Sequence, residues 1–210
     1  SKNSAEIIFN HFNSWYYRYV MYSYIPNFLT FLRLFAAPVL ILYLIIDQSF
    51  SGKYFGLIIF FCIILTDFFD GYLARKFNTE SNIGKVFDPI ADKIMVILLF
   101  AFFLGISLDN PDKLFISLML ILLITREIMI SGLREFASAK KADLSVTQLA
   151  KWKTFFQTVL LIFLFFDYIY FFQSTAISWS IDLFCLVTCL LTWYTGMQYI
   201  FKAFDTANNG

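Results

Sequence analysis

Four aspartates flank a short polar loop between two strongly apolar segments of the sequence. Asp67 and Asp70 stand at the end of the first segment, and Asp88 and Asp92 stand at the start of the second. On a helix, residues three or four apart lie on the same face, so each pair of carboxylates shares a face. A hairpin between the segments brings the two faces together. Because ionised carboxylates at a membrane edge repel one another, the pattern requires shared protons, Lys or Arg partners, or divalent cations.

Of these three possibilities, divalent cations give the cluster a chemistry. Carboxylate oxygens suit Mg²⁺ and Mn²⁺, and two such ions about 3.5–4 Å apart form a clamp for phosphoryl transfer. Small side chains on the same helical faces leave a slot for a flat ring or a phosphate, although they also permit close helix packing. These small residues are Gly71, Ala74 and Gly84. Arg75 is suited to hold a phosphate through two hydrogen bonds, or alternatively to anchor the helix at the membrane surface.

The composition places this cluster in a membrane protein. Of the 210 residues, 60% are hydrophobic and 15% are charged, whereas about 25% of the residues of a soluble domain are charged. The net charge of +1 gives no general attraction to nucleic acid. Six apolar segments are long enough to cross a bilayer, and they cover roughly residues 27–46, 54–74, 85–105, 114–134, 150–172 and 178–201.

The segment ahead of the first apolar run differs in character. Residues 1–26 mix apolar and aromatic residues with Asn, His and Arg, which is typical of a helix in the membrane interface. The predicted fold is an all-α integral membrane protein, with an interfacial amphipathic helix over 1–26 and a domain of six transmembrane helices over 27–210. Two connections rich in basic residues are predicted to face the cytoplasm, together with the aspartates. Their basic residues are Arg75, Lys76, Lys85, Arg134, Lys140, Lys141, Lys151 and Lys153, against Lys53 and Lys113 on the other side.

The spacing of the aspartates resembles a known signature. Asp67-xx-Asp70-Gly71-xx-Ala74-Arg75, then eight residues, then Gly84-xxx-Asp88-xxx-Asp92, resembles that of the CDP-alcohol phosphotransferases, with every fixed position filled. The resemblance implies a homodimeric membrane enzyme that displaces CMP from a CDP-linked donor with an alcohol. It also implies two Mg²⁺ or Mn²⁺ ions as cofactors.

The same resemblance assigns roles to individual residues. It implies that the metal ions are bound by Asp67, Asp70, Asp88 and Asp92. Asp88 and Asp92 are the implied catalytic residues, with Asp92 as the candidate general base for the attacking hydroxyl. The CDP moiety is expected against Asp67, Asp70, Gly71, Ala74, Arg75 and Gly84.

Three further segments bear on the alcohol that is accepted. IPNFLTFLR (25–33), TREIMISGLREF (125–136) and LAKWKT (149–154) resemble the phosphatidylglycerophosphate synthase subfamily, although Ala150 replaces a Gly of that pattern. Arg126 lies deep in its apolar segment, where an isolated charge is costly. Two explanations remain open: a structural bridge from Arg126 to Glu127 or to a site aspartate, or a pocket for an anionic acceptor. The pocket is favoured, and it comprises Arg126, Arg134, Lys151 and Lys153, with Asn27, Thr30 and Arg33 of the first span adding polar contacts.

The predicted activity is transfer of the phosphatidyl group from CDP-diacylglycerol to sn-glycerol 3-phosphate, with release of CMP. The predicted location is the bacterial cytoplasmic (inner) membrane, with several spans and the active site facing the cytoplasm. Alternatives within the family are a CDP-type cardiolipin synthase and a phosphatidylinositol-phosphate synthase, because their acceptors also carry a phosphate. A cation transporter is a more distant alternative, since the acidic residues cluster at one membrane face. A purely structural scaffold leaves the four carboxylates unexplained.

Overall fold

A computed structural model of the chain describes residues 31–77, 82–139, 148–170 and 175–208. The described residues form six α-helices and one short 3-10 helix, and they include no β-strand. The prediction of an all-helical protein is therefore confirmed for this part of the chain. The interfacial helix predicted over residues 1–26 lies outside the described residues, as do Asn27 and Thr30.

The helices begin and end close to the predicted apolar segments. Helix α1 is described over Phe31–Ile46, and the others are α2 (Phe50–Phe77), α3 (Asn82–Leu108), α4 (Leu114–Ala139), α5 (Gln148–Tyr170) and α6 (Thr175–Asn208). Four segments are long and apolar enough to cross a membrane: Ile90–Leu108, Pro111–Ala137, Trp152–Tyr170 and Ile177–Phe201. Among the described residues, α1 and α2 contribute shorter apolar segments, Phe31–Ile46 and Phe50–Thr66. The chain is therefore a multi-pass membrane protein.

The chain divides into two compact units. The first unit comprises the chain up to Ile46 and the segment Ile58–Met95, which holds most of α2 and the first half of α3. Its buried apolar residues come from all three helices and are Ala37, Leu40, Leu44, Phe60, Ile63, Ala91 and Met95. The rings of Phe31 and Phe87, 5.3 Å apart, bring α1 against α3 within this unit.

The second unit comprises Asp47–Leu57 and the chain from Val96 onward. Helix α6 packs against both α4 and α5. Two threonines in this core bond to their own helix: the hydroxyls of Thr188 and Thr192 donate to the carbonyls of Phe184 and Cys189, each at 2.8 Å. Inside a membrane an unbonded polar group is costly, so these local bonds allow threonines in an apolar core. An exposed apolar stripe follows the outer face of α6, at Trp179, Leu183, Val187, Leu190, Tyr194, Met197 and Phe201.

Polar contacts tie three elements together where α5 ends. Lys113, in the 3-10 helix Pro111–Lys113, forms an ion pair with the buried carboxylate of Asp167. Lys53, near the start of α2, donates to the carbonyl of Tyr168 at 3.2 Å and lies 4.1 Å from the centre of its ring. The side chain of Asn110 accepts a hydrogen bond from the Asp112 backbone N–H at 3.0 Å and caps the 3-10 helix. We call the contacts of Lys53, Lys113, Asp167 and Tyr168 the end clamp.

Candidate active site

The predicted metal ligands lie on the two helices that the sequence assigns to them. Asp67 and Asp70 are in the last turns of α2, whose backbone stays helical to Phe77. Asp88 and Asp92 are in the first turns of α3, which begins at Asn82. The helical backbone confirms that each pair, three or four residues apart, shares one face. The side chains of Asp67, Asp70, Gly71, Ala74, Arg75, Gly84 and Asp88 lie outside the described residues.

Asp92 is the one predicted metal ligand whose side chain is described. Its Oδ1 accepts a hydrogen bond from Arg33 Nη1 at 2.8 Å. The Arg33 side chain is 2% exposed, whereas the Asp92 side chain is 46% exposed. An Arg buried in an apolar helix needs a negative partner, and Asp92 supplies it across the contact between α1 and α3. The candidate base is therefore oriented by an arginine and still has an exposed side chain.

The donor chemistry of this region fits hard divalent cations. The two helix ends carry carboxylates, which are the oxygen ligands that Mg²⁺ and Mn²⁺ prefer. Within the described part of the chain no three His, Cys, Asp or Glu residues are grouped for a metal ion. The side chains of three of the four predicted ligands are not described, so the two-metal site stays a prediction.

Arg126, on α4, is fixed by the protein on three sides. Its side chain is 2% exposed. Nε donates to the carbonyl of Thr192 at 2.8 Å, Nη2 to the hydroxyl of Thr195 at 3.1 Å, and Nη1 to Glu127 at 3.0 Å. Gly196 makes this approach possible, because a methyl group there would lie 3.1 Å from Arg126 Nε. The structural bridge to Glu127 is therefore present, and binding of an anion by Arg126 stays a prediction.

Glu127 gathers donors from two helices. Its Oε1 accepts from Arg126 Nη1 and from Gln157 Nε2, both at 3.0 Å, and Lys153 Nζ lies 2.5 Å from Oε1 and 2.7 Å from Oε2. The Glu127 side chain is 6% exposed and that of Lys153 is 14% exposed. A buried carboxylate remains charged only when such partners replace water. We call Arg126, Glu127, Lys153 and Gln157 the Glu127 network.

The two remaining predicted cations occupy different positions. Arg134 is exposed and lies two turns beyond Arg126 on α4, with its Cζ 5.9 Å from the ring centre of Tyr199 on α6. Lys151 is in the first turn of α5, and its side chain lies outside the described residues. The structure thus brings Arg126 and Lys153 together on Glu127 and places Arg134 against α6.

A sequence comparison decides the family. A family model described as CDP-alcohol phosphatidyltransferase matches residues 23–196. The chain belongs to this family. The matched region contains all four aspartates of the signature and the whole Glu127 network.

Three curated relatives of this chain share one name, CDP-diacylglycerol–glycerol-3-phosphate 3-phosphatidyltransferase. A protein of Cereibacter sphaeroides is 46% identical over 142 residues, which are 67% of this chain and 62% of that protein. A Rickettsia typhi protein is 43% identical over 63% of this chain and 71% of its own length. A Haemophilus influenzae protein is 33% identical over 84% of this chain and 91% of its own length. The chain thus matches just under two thirds of one relative and nearly all of another.

Sequence reasoning missed several contacts that hold the predicted residues in place. The bond from Arg33 to Asp92 joins residues 59 positions apart, and no local sequence pattern predicts it. Gln157, Thr192, Thr195 and Gly196 were also missed, although each contacts Arg126 or Glu127. A signal existed only for Glu127, because its neighbour Arg126 is a charge deep in an apolar segment.

Proposed function

We propose that this chain is a CDP-diacylglycerol–glycerol-3-phosphate 3-phosphatidyltransferase, a phosphatidylglycerophosphate synthase of phospholipid biosynthesis. The observation that carries the proposal is the shared name of relatives that match this chain over most of its length. The intact aspartate signature supports the reaction type, and a cluster of cations supports an acceptor that carries a phosphate. In the reaction, a hydroxyl oxygen of glycerol 3-phosphate forms a bond to the phosphorus that bears diacylglycerol. The bond from that phosphorus to CMP breaks.

The aspartates of α2 and α3 supply the reacting centre in this proposal. Asp67, Asp70, Asp88 and Asp92 hold two divalent cations, and the family's use of such ions supports this. When bound, the cations neutralise negative charge on the diphosphate. Asp92 also takes the proton of the attacking hydroxyl. Its bond to Arg33 orients the carboxylate, and its exposed fraction of 46% leaves it accessible to that hydroxyl.

The donor and the acceptor contact different residues. Gly71, Ala74 and Gly84 admit the cytidine ring close to the helix backbone, and Arg75 holds the diphosphate. The acceptor's phosphate is bound by Arg134, Lys151 and Lys153, with Arg126 adding a fixed positive charge and Asn27 and Thr30 adding polar contacts. Hydrogen bonds from several cations to one phosphate are short and strong, which suits this arrangement to phosphate recognition.

The membrane arrangement follows from the same reasoning. We propose six membrane-spanning helices over residues 27–210, an interfacial helix over 1–26, and a homodimer in the bacterial cytoplasmic membrane. The basic residues of the two connections after α2 and α4 support a cytoplasmic active site. The apolar outer face of α6 is suited to lipid or to a second copy of the chain.

An acceptor panel tests the proposal. Purified protein is supplied with CDP-diacylglycerol and Mg²⁺ or Mn²⁺, and with glycerol 3-phosphate, phosphatidylglycerol, inositol phosphate, inositol or serine. CMP release is followed, and the lipid product is identified by mass spectrometry. Asp88→Asn and a chelator serve as negative controls. We expect metal-dependent phosphatidylglycerophosphate from glycerol 3-phosphate alone.

The other outcomes separate the alternatives. Cardiolipin from phosphatidylglycerol, or a phosphoinositide from inositol phosphate, would move the chain to another branch of the family. Product from unphosphorylated inositol or serine would overturn the role of the cation cluster. Absence of CMP with every acceptor, in folded protein, would overturn the enzymatic activity itself.

A further inference from the structure

Tyr199 carries a buried hydroxyl that the described protein does not bond. The residue is 5% exposed, and its Oη has no hydrogen-bond partner among the described residues. A buried hydroxyl without a partner is destabilising, because folding removes its water without replacing it. Such groups are rare in native proteins and call for an explanation. A bound ligand is one physical explanation, since it supplies the missing acceptor.

The surroundings of Tyr199 point to the charge of that ligand. The Arg134 guanidinium lies over the Tyr199 ring at 5.9 Å. The Arg126 guanidinium lies close by, because its Nη2 donates to the hydroxyl of Thr195, one helical turn before Tyr199 on α6. Two cations beside a hydroxyl donor form a site for an anion, because guanidinium groups and a phenol all donate hydrogen bonds to oxyanions.

Packing fixes the position of this group. Arg126 contacts Thr192 and Thr195, and Arg134 contacts Tyr199 four residues beyond Thr195, so α4 and α6 run in the same direction at this contact. Gly196 lets α4 approach α6 at the same level, next to Arg126. Since Arg134 is exposed and Tyr199 is buried, the site extends from the protein surface into the contact between the two helices.

We propose that the hydroxyl of Tyr199 is a ligand of the acceptor's phosphate, which it binds together with Arg134. The inference rests on the proposed function for the identity of the acceptor, and on Tyr199 and its two arginines for the site itself. The phenol O–H donates a hydrogen bond to a phosphate oxygen. Arg134 neutralises the charge from the exposed side.

Tyr199→Phe tests the proposal because it removes one oxygen and keeps the ring against which Arg134 lies. Tyr194→Phe is the matched control, since Tyr194 is on the same helix with its side chain 61% exposed. A hydrogen bond to a charged group corresponds to about tenfold to a hundredfold in affinity. We therefore expect the KM for glycerol 3-phosphate to rise at least about tenfold in Tyr199→Phe, with the KM for CDP-diacylglycerol within about twofold of the wild type.

Thermal unfolding without substrate supplies a second, independent readout. If the fold leaves the hydroxyl unbonded, Tyr199→Phe unfolds at the same temperature as the wild type or above it. Added glycerol 3-phosphate or inorganic phosphate then stabilises the wild type and Tyr194→Phe more than Tyr199→Phe. An unchanged KM, or a lower unfolding temperature of Tyr199→Phe without any phosphate, would overturn the proposal.

The unfolding experiment also separates this inference from the proposed function. A wild type that makes no phosphatidylglycerophosphate, but is stabilised by inorganic phosphate through Tyr199, would uphold the anion site and reject the proposed acceptor. A wild type that makes phosphatidylglycerophosphate, with a KM that Tyr199→Phe leaves unchanged, would uphold the proposed function and reject Tyr199 as a phosphate ligand.

Discussion

Asp92 and Glu127 are both carboxylates within apolar helices, and both accept a hydrogen bond from an arginine. Their surroundings differ. Asp92, in the first unit, is bonded to Arg33 and its side chain is 46% exposed. Glu127, in the second unit, is 6% exposed and accepts from Arg126, Lys153 and Gln157.

The difference in exposure suits Asp92 to a reaction and suits Glu127 to holding neighbouring side chains in place. A side chain that stays half exposed can exchange its contacts with a metal ion or a substrate hydroxyl. A carboxylate enclosed by three donors gains nothing by exchange, and its removal leaves buried cations without compensation. We therefore propose that Asp92 acts in the reaction and that Glu127 fixes the positions of Arg126 and Lys153.

The largest effect is expected from Asp92→Asn. The amide cannot take the hydroxyl proton, and loss of a general base lowers kcat by about 10²–10⁴-fold. CMP release under saturating substrates measures this effect, and size-exclusion chromatography checks that the variant is folded. A rate within about tenfold of the wild type would remove Asp92 from the role of base.

Glu127→Gln should act mainly on stability. Removing one member of a buried ion pair costs about 3 kcal/mol or more, because Arg126 and Lys153 then remain buried beside a neutral amide. Thermal unfolding in detergent measures the loss. Glu135→Gln is the matched control, since Glu135 is exposed on the same helix. If Glu127→Gln and Glu135→Gln both unfold at the wild-type temperature, Glu127 does not have the stabilising role that distinguishes it from Asp92.

Arg33→Gln tests whether the arginine competes with a metal ion for Asp92. Removing a positive charge beside the carboxylate should tighten Mn²⁺ binding, by up to about tenfold for a nearby, partly screened charge. Isothermal titration with Mn²⁺ measures the affinity independently of turnover. Arg33→Lys keeps the charge and should stay near the wild type. Weaker binding in Arg33→Gln would show instead that Arg33 orients Asp92 for the ion.

The smallest effect is expected from Gly196→Ala. The added methyl group would lie 3.1 Å from Arg126 Nε and displace a side chain that three bonds hold in place. We expect a loss of about 1 kcal/mol, at the low end for overpacking. Gly132→Ala on α4 meets no atom within 4 Å and should gain up to about 1 kcal/mol from helix propensity. If the unfolding temperatures of Gly196→Ala and Gly132→Ala shift equally, the close contact between Gly196 and Arg126 does not affect stability.

The sequence predicted the helices well because the length of an apolar run is a direct signal for a membrane segment. The segment expected over 85–105 is α3, Asn82–Leu108, and that expected over 150–172 is α5, Gln148–Tyr170. The aspartate pattern also predicted the family. Its aspartates lie in pairs on single helices, so their spacing in the sequence fixes which of them share a face. Pairing of Arg126 with Glu127 was one of two alternatives, and the structure contains it.

Contacts between helices were not predictable in the same way. A helix that is apolar on all sides has no amphipathic period, so its sequence does not reveal which face meets which neighbour. The pairs Arg33 with Asp92, Arg126 with Thr192, and Arg134 with Tyr199 all depend on that rotation. For the same reason the buried state of the Tyr199 hydroxyl was invisible in the sequence.

The end clamp has a mechanical consequence for the second unit. Lys53, Lys113 and Asp167 fasten the start of α2, the 3-10 helix and the end of α5 to one another. Lys153 lies 15 residues before Tyr168 on α5, which is about 22 Å along the helix. The Glu127 network joins α4 to α5 at that second level, so the two helices are held together at two places along their length and resist splaying.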